Sequence, residues 1–179
     1  MTEQEKNNRS DHHPPIFGVI GWKDSGKTTL VERLIEEFTI RGKTVSAVKH
    51  AHHSFEIDHE HRDSYKFRSA GARRTVVVSR NRWAMIHELR EEAEPSLNEL
   101  LDHVGPCDLV LIEGYKNAPF NKIEARNSAN NNKALSPEDD HIVAVAIRGE
   151  MQTDTLPVFD IDDISAIADF IAERTGISA

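Results

Sequence analysis

A single cysteine, Cys107, leaves no partner for an internal disulfide and suits a reducing compartment. Positive charge is also scarce. Lys and Arg number 22 against 30 Asp and Glu, and the resulting net charge of −8 argues against a nucleic-acid or membrane surface as the main partner. No apolar run approaches the roughly 20 residues that a membrane-crossing helix needs. Met1–Pro15 carries charge, Asn and His but no apolar stretch of the kind a secretory signal uses. There is no visible internal repeat, and residue order yields no Ser-His-Asp or Cys-His constellation. These absences predict a soluble, cytoplasmic protein that meets an anionic ligand, if it has one, at a local positive site. The length of 179 residues suits one α/β domain, with residues 1–15 as a disordered tail and residues 16–179 as the folded part.

The local positive site is Gly21-Trp22-Lys23-Asp24-Ser25-Gly26-Lys27-Thr28-Thr29, which fits the phosphate-loop pattern G-x-x-x-x-G-K-[ST]. Ile16–Ile20 before it reads as a buried strand, and Leu30, Val31, Leu34, Ile35 and Phe38 after it recur at helical spacing. A loop between a strand and a helix is the context such a motif requires. Its glycines let the backbone turn tightly, so that successive N–H groups converge on phosphate oxygens at the positive end of the helix. On this reading Gly21 and Lys23 through Thr29 hold the phosphates. Lys27 reaches the β- and γ-phosphates, and the Thr28 hydroxyl holds a magnesium ion. The helix is expected over residues 28–41, stopping at Gly42, and Thr44–Lys49 reads as a second buried strand, which predicts a right-handed parallel crossover. In open α/β sheets the chemistry lies off the carboxyl ends of the strands, where Lys49 and His50 lead.

Two further segments carry chemistry. Residues 50–64 hold five of the ten histidines, His50, His52, His53, His59 and His61, together with carboxylates. Imidazole and carboxylate donors suit zinc, nickel or iron, although no helix or strand register places three of these histidines on one face. The other reading is a switch-like loop beside the γ-phosphate, with Asp58 near the magnesium ion and Lys49 or a histidine near the phosphates. The switch reading is preferred because the loop leaves a strand end next to the phosphate loop. Asp108–Gly114 is an apolar run that ends in a carboxylate, and Glu113 stands where a strand-end acid would orient magnesium or an attacking water; Asp108, at its start, reads as structural. Asn121-Lys122-Ile123-Glu124 parallels the base-reading N-K-x-D pattern of GTPases, with Glu in place of Asp. Elsewhere the pattern predicts a short helix over 63–72, strands near 75–79, 82–88, 122–126, 142–147 and 156–159, and helices over 96–104 and 163–175, with a polar loop over 127–140. The fold class expected is α/β: a three-layer P-loop NTPase-like domain with a mostly parallel central sheet and an added β-hairpin.

The ordered set of Gly21–Thr29, Val48-Lys49-His50-Ala51-His52-His53, Asp63-Ser64-Tyr65 with Ala70-Gly71-Ala72, Glu113-Gly114-Tyr115-Lys116, Lys122-Ile123-Glu124 and Leu156-Pro157-Val158 closely resembles the MobB family of molybdopterin-guanine dinucleotide biosynthesis adaptor proteins. The resemblance covers residues 16 to the end. It implies a GTP-binding homodimer with weak, magnesium-dependent hydrolysis that assists the MobA-type guanylyltransferase acting on molybdopterin. It also implies that Lys27 and Glu113 serve any hydrolysis, and that Thr28, Asp58 and Glu113 lie near the magnesium ion. The chain departs from the family pattern at His61-Arg62, where a glycine followed by lysine is usual; glycine admits backbone shapes that a histidine resists. Two other functions compete with this reading: a nucleotide-dependent metallochaperone built on the histidines, and a small-molecule P-loop kinase, for which the chain lacks an Arg-rich lid.

Overall fold

The computed structural model describes residues 13–51, 55–150 and 155–178. Residues 1–12 of the expected tail, and His52 and His53 of the histidine-rich segment, lie outside the described residues. Chain order is β1 (Ile16–Ile20), α1 (Lys27–Ile40), β2 (Val45–Lys49), α2 (Asp63–Ser69), β3 (Arg74–Val78), β4 (Trp83–His87), α3 (Leu97–Val104), β5 (Leu109–Glu113), β6 (Lys122–Asn127), a 3₁₀ turn (Ser136–Glu138), β7 (Ile142–Arg148), β8 (Val158–Asp160) and α4 (Ile164–Thr175). The chain divides into two compact units, residues 1–50 with 104–179, and residues 51–103.

In the first unit six strands form one parallel sheet in the order β2-β5-β1-β6-β7-β8. The expected mostly parallel sheet with helices, plus a separate antiparallel hairpin, is therefore what the structure contains. Parallel strands covered on both sides read as continuous apolar runs rather than alternating ones. β5 shows this, with Leu109, Val110, Leu111 and Ile112 all fully buried. α1 turns Leu30, Val31, Leu34 and Phe38 onto one face of the sheet, and α4 adds Ile164, Ile167, Ala168, Ile171 and Ala172 to the same core. α4 is capped by Asp163, whose carboxylate accepts from Ala166 N at 3.2 Å.

β1 and β2 are not neighbours in the sheet. β5 inserts between them, with Val19 and Lys49 both in register with Glu113. Residue order in a β-α-β run sets the direction of its strands but not which later strand comes to lie between them. Asp108, just before β5, has the expected structural role: its Oδ2 accepts from Thr44 N at 2.7 Å and Thr44 Oγ1 at 2.6 Å, tying the starts of β2 and β5 together. β8 starts two residues later than the pattern suggests. Pro157 has no N–H to pair, although its carbonyl accepts from Val145 N at 2.9 Å.

The second unit holds α2, the β3–β4 hairpin and most of α3. α3 begins with a capping box: Ser96 Oγ accepts from Glu99 N, while Glu99 Oε2 accepts from Ser96 N at 2.8 Å. α2 ends at Ser69, as the chain turns through Ala70 and Gly71. Arg68, on α2, gathers three carboxylates, with Glu88 at 2.5 Å, Glu56 at 3.2 Å and Asp58 at 3.7 Å.

Candidate nucleotide-binding site

The phosphate loop leaves β1 at Gly21 and enters α1 at Lys27. Gly21 is pressed against the β6 backbone: a Cβ there would lie 2.4 Å from Ala125 O and 2.6 Å from Ser25 Oγ, and its φ of +148° already disfavours a side chain. Asp24 also takes a positive φ, 60°, as a residue in a tight anion-cradling turn does. The Ser25 hydroxyl is 2% exposed and has no hydrogen-bond partner among the described residues. A buried polar atom left so calls for a partner, and a ligand held by this loop would supply one. It borders a cavity of about 290 Å³ reached by Trp22, Arg126, Asn127 and the Asn130–Asn132 run.

Charge is concentrated around this loop. Lys27 Nζ folds back to donate to Trp22 O at 2.6 Å. Its pKa is held below the ordinary value of 10.5, first by burial, which Glu113 and Asp24 oppose and the charges of Lys116 and Lys49 reinforce. Lys116 Nζ sits 4.3 Å from the centre of the Trp22 ring. Arg148, at the carboxyl end of β7, lays its guanidinium along the loop: a Cβ on Gly26 would lie 3.5 Å from Nη2. In a chain of net charge −8, these four cations around one turn form a local anion site.

Opposite the loop stands the strand-end acid. Thr28 Oγ1 donates to Glu113 Oε2 at 3.0 Å. Lys49 Nζ lies 3.2 Å from Glu113 Oε1 and donates to Thr28 Oγ1 at 3.4 Å. A hydroxyl and a carboxylate side by side are the hard oxygen donors a magnesium ion takes, so Thr28 and Glu113 fit that ion. His50 follows Lys49, with its N–H donating to Glu113 O at 2.9 Å and its ring stacked on Tyr115 at 4.4 Å between centres. Tyr115 itself holds a φ of 52°, a strained position next to the acid.

The structure thus gathers Gly21 through Thr29, Lys49, His50 and Glu113 in the first unit. Asp58, His59 and His61 belong to the second unit. There Asp58 Oδ1 accepts from His59 N at 3.1 Å and the carboxylate faces Arg68. His61 takes no positive φ, so its side chain meets no strain of the left-handed kind. Among the described residues no group of three or more His, Cys, Asp or Glu side chains is placed to hold a metal ion.

The parallel with the N-K-x-D pattern fails on burial. Lys122 is fully buried and donates to Lys116 O and Ala118 O, both at 2.8 Å, and to Asp139 Oδ2 at 2.5 Å. Glu124, 1% exposed, accepts from Leu135 N at 2.9 Å and Ser136 N at 3.0 Å and pairs with Arg126 at 2.8 Å. Both side chains are engaged in holding loops to the sheet. Sequence reading missed Lys116 and Arg148. Lys116 could have been found as the basic residue just past the strand-end acid, and Arg148 as the basic residue closing an apolar strand.

Comparison with known proteins agrees with this architecture. A family model described as MobB, molybdopterin guanine dinucleotide synthesis protein B, matches residues 16–148. A molybdopterin-guanine dinucleotide biosynthesis adapter protein of Escherichia coli is 35% identical over 162 residues, 89% of this chain and 92% of its own length. One of Haemophilus influenzae is 36% identical over 159 residues, 88% of this chain and 87% of its own. The crystal structure of Bacillus subtilis MobB superposes with a TM-score of 0.70 at 26% identity, covering 90% of this chain and 98% of that one. The match is not confined to the phosphate loop that very many proteins share, but runs through the β5 acid and the parallel strands beyond it, and the chain belongs to the MobB family.

Proposed function

We propose that this protein binds GTP with magnesium and acts as an accessory protein in the synthesis of molybdopterin guanine dinucleotide, the role named for its relatives. The observation that carries the nucleotide reading is the Thr28–Glu113 hydrogen bond of 3.0 Å, which brings the loop hydroxyl to the strand-end carboxylate beside Lys27. The loop amides and Lys27 bind the phosphates; Thr28 and Glu113 hold the magnesium ion, which supplies charge neutralisation between phosphate oxygens. Asp58, the other acid that the sequence suggests for the metal, lies in the second unit, where its carboxylate faces Arg68. Hydrolysis, where it occurs, is weak, with Lys27 and Glu113 serving to position and neutralise charge. The protein works in the cytoplasm; among the described residues no helix is long and apolar enough to cross a membrane.

An adaptor needs partners. Strand alternation places Val76, Val78, Trp83 and Met85 on one face of the β3–β4 hairpin, where they are 61%, 75%, 67% and 40% exposed. Such a contiguous apolar face marks an interface, and we assign it to a second copy of this chain. The MobA-type guanylyltransferase and its molybdopterin substrate are the further partners. Lys27→Ala tests the site: GTP affinity measured by calorimetry falls by at least about 100-fold, on the scale of one lost charge-assisted phosphate contact set. Wild-type affinity in that variant would remove the assignment.

A further inference from the structure

Lys49 occupies a position that the sheet itself dictates. β2 and β5 pair so that Lys49 lies in register with Glu113, and β1, on the other side of β5, places Val19 in register with the same residue before leading into the loop that carries Thr28. The ammonium therefore reaches both oxygens at once, 3.2 Å from Glu113 Oε1 and 3.4 Å from Thr28 Oγ1. These are the two oxygens that hold magnesium on the reading above, and the present inference rests on that reading.

The carboxylate side chain of Glu113 is only 12% exposed. A carboxylate so far withdrawn from water is costly to bury unless a cation or a set of donors meets it. Here the chain supplies both, the Thr28 hydroxyl on one oxygen and the Lys49 ammonium on the other. Lys49 differs from its partner in exposure, at 59%. A compact ammonium on a flexible, largely solvated stem can leave one set of oxygens for another without disturbing any packed side chain. Phosphate oxygens bound at Lys27 and Thr28 would offer that second set within the same site. A magnesium ion and the ammonium both draw on Glu113 and Thr28, and two cations on one carboxylate repel each other.

We propose that Lys49 is a built-in counter-cation that substitutes for magnesium: it keeps Thr28 and Glu113 assembled without a metal, makes nucleotide affinity nearly independent of magnesium, and yields its oxygens to the ion by moving to the phosphates when magnesium is abundant. The site then responds to nucleotide concentration over a wide range of magnesium, as suits an adaptor rather than a metal-gated catalyst.

The test is a titration of the full chain with a fluorescent N-methylanthraniloyl GTP analogue, in EDTA and over a series of magnesium concentrations. The proteins compared are the wild type, Lys49→Met, Lys49→Gln and Lys49→Arg. Chelating magnesium weakens analogue binding by less than about threefold in the wild type and in Lys49→Arg. In Lys49→Met and Lys49→Gln it weakens binding by at least about tenfold, within the usual range of coupling between two ligands. The neutral variants also reach half-maximal response at a lower magnesium concentration, because the ion no longer competes. The Gln variant keeps a polar tip at this exposed position, so the comparison survives if Lys49→Met does not fold. Equal magnesium dependence in proteins that all bind the analogue overturns the role of Lys49 and leaves the nucleotide site standing. So does a wild type that itself loses tenfold or more in EDTA. No analogue binding by the wild type at any magnesium concentration overturns the nucleotide reading and the Lys49 proposal with it.

Discussion

Lys122→Met removes an ammonium that no solvent reaches, and its cost can be worked from its partners. The three acceptors are Lys116 O, Ala118 O and Asp139 Oδ2, of which Ala118 O keeps a second donor, Phe120 N at 3.0 Å. Each buried acceptor left without a donor costs about 1–3 kcal/mol, and breaking a buried ion pair by removing one partner costs about 3–5 kcal/mol. Asp139 is 23% exposed, so water recovers part of its loss. The expected destabilisation is about 3–4 kcal/mol, a large share of the 5–15 kcal/mol typical of a folded chain. For a chain of this size, that lowers the melting temperature by roughly 6–16 °C. Lys122→Met/Asp139→Asn, which removes the stranded charge as well, recovers about 1–2 kcal/mol of this.

pH gives an independent check on the same pair. Burial pushes the Asp139 carboxyl up, but the Lys122 hydrogen bond, the His141 amide and the charges of Lys122 and His141 outweigh it and hold the group below its ordinary 3.8. A depressed carboxyl stabilises the fold above its unfolded value and loses that contribution as pH falls through its folded value. The wild type therefore holds this contribution above pH 3.8 and loses it as pH falls below that value. Urea unfolding followed by circular dichroism, at neutral and acid pH, measures both. A loss under about 1 kcal/mol at neutral pH, or a double variant less stable than the single one, would refute the reasoning.

Nucleotide affinity is expected to fall as pH rises through the alkaline range below 10.5, because the free site holds the Lys27 pKa down and bound phosphate raises it again, so binding takes up protons there. A flat affinity profile between neutral pH and that limit counts against Lys27 as a phosphate ligand. Trp83→Glu, which sets a charge in the exposed apolar face of the hairpin, is expected to raise the dimer dissociation constant by at least about tenfold in sedimentation equilibrium. An unchanged dimer, or a wild type that is monomeric throughout, sinks the proposed interface.

Much of the fold was legible because the residues that encode it are local. α1 shows in the spacing of Leu30, Val31, Leu34 and Phe38, β5 in an unbroken aliphatic run, and the hairpin in two β-branched and aromatic segments either side of Asn81. The phosphate loop was legible for the same reason, since all its parts are contiguous. What residue order could not disclose was pairing over distance. Nothing in β2 says that β5 rather than β1 will be its neighbour, so the meeting of Lys49, Thr28 and Glu113 was not readable, although each had been singled out. Lys122 and Glu124 misled in the opposite direction. In sequence they look like solvent-facing polar residues of a recognition motif, whereas their partners, Asp139 and the amides of Leu135 and Ser136, come from a loop that a linear reading leaves without structure. Arg148 escaped notice because a basic residue at a strand end is common, and only the return of β7 beside β6 lays it against Gly26.

The insertion of β5 between β1 and β2 has a consequence for how the protein comes into being. As the chain is synthesised, the phosphate loop and its helix are made early, yet Ile16 pairs with Val110 and Gly18 with both Ile112 and Lys122. Until those strands exist, β1 has no neighbour in the sheet, and contacts between residues so far apart in sequence form late and slowly. A nascent chain that already carries the whole phosphate-binding motif is thus still unable to present it. Occupancy of the loop becomes a sign that the parallel sheet has closed around it, and nucleotide would stabilise finished molecules selectively over unfinished ones.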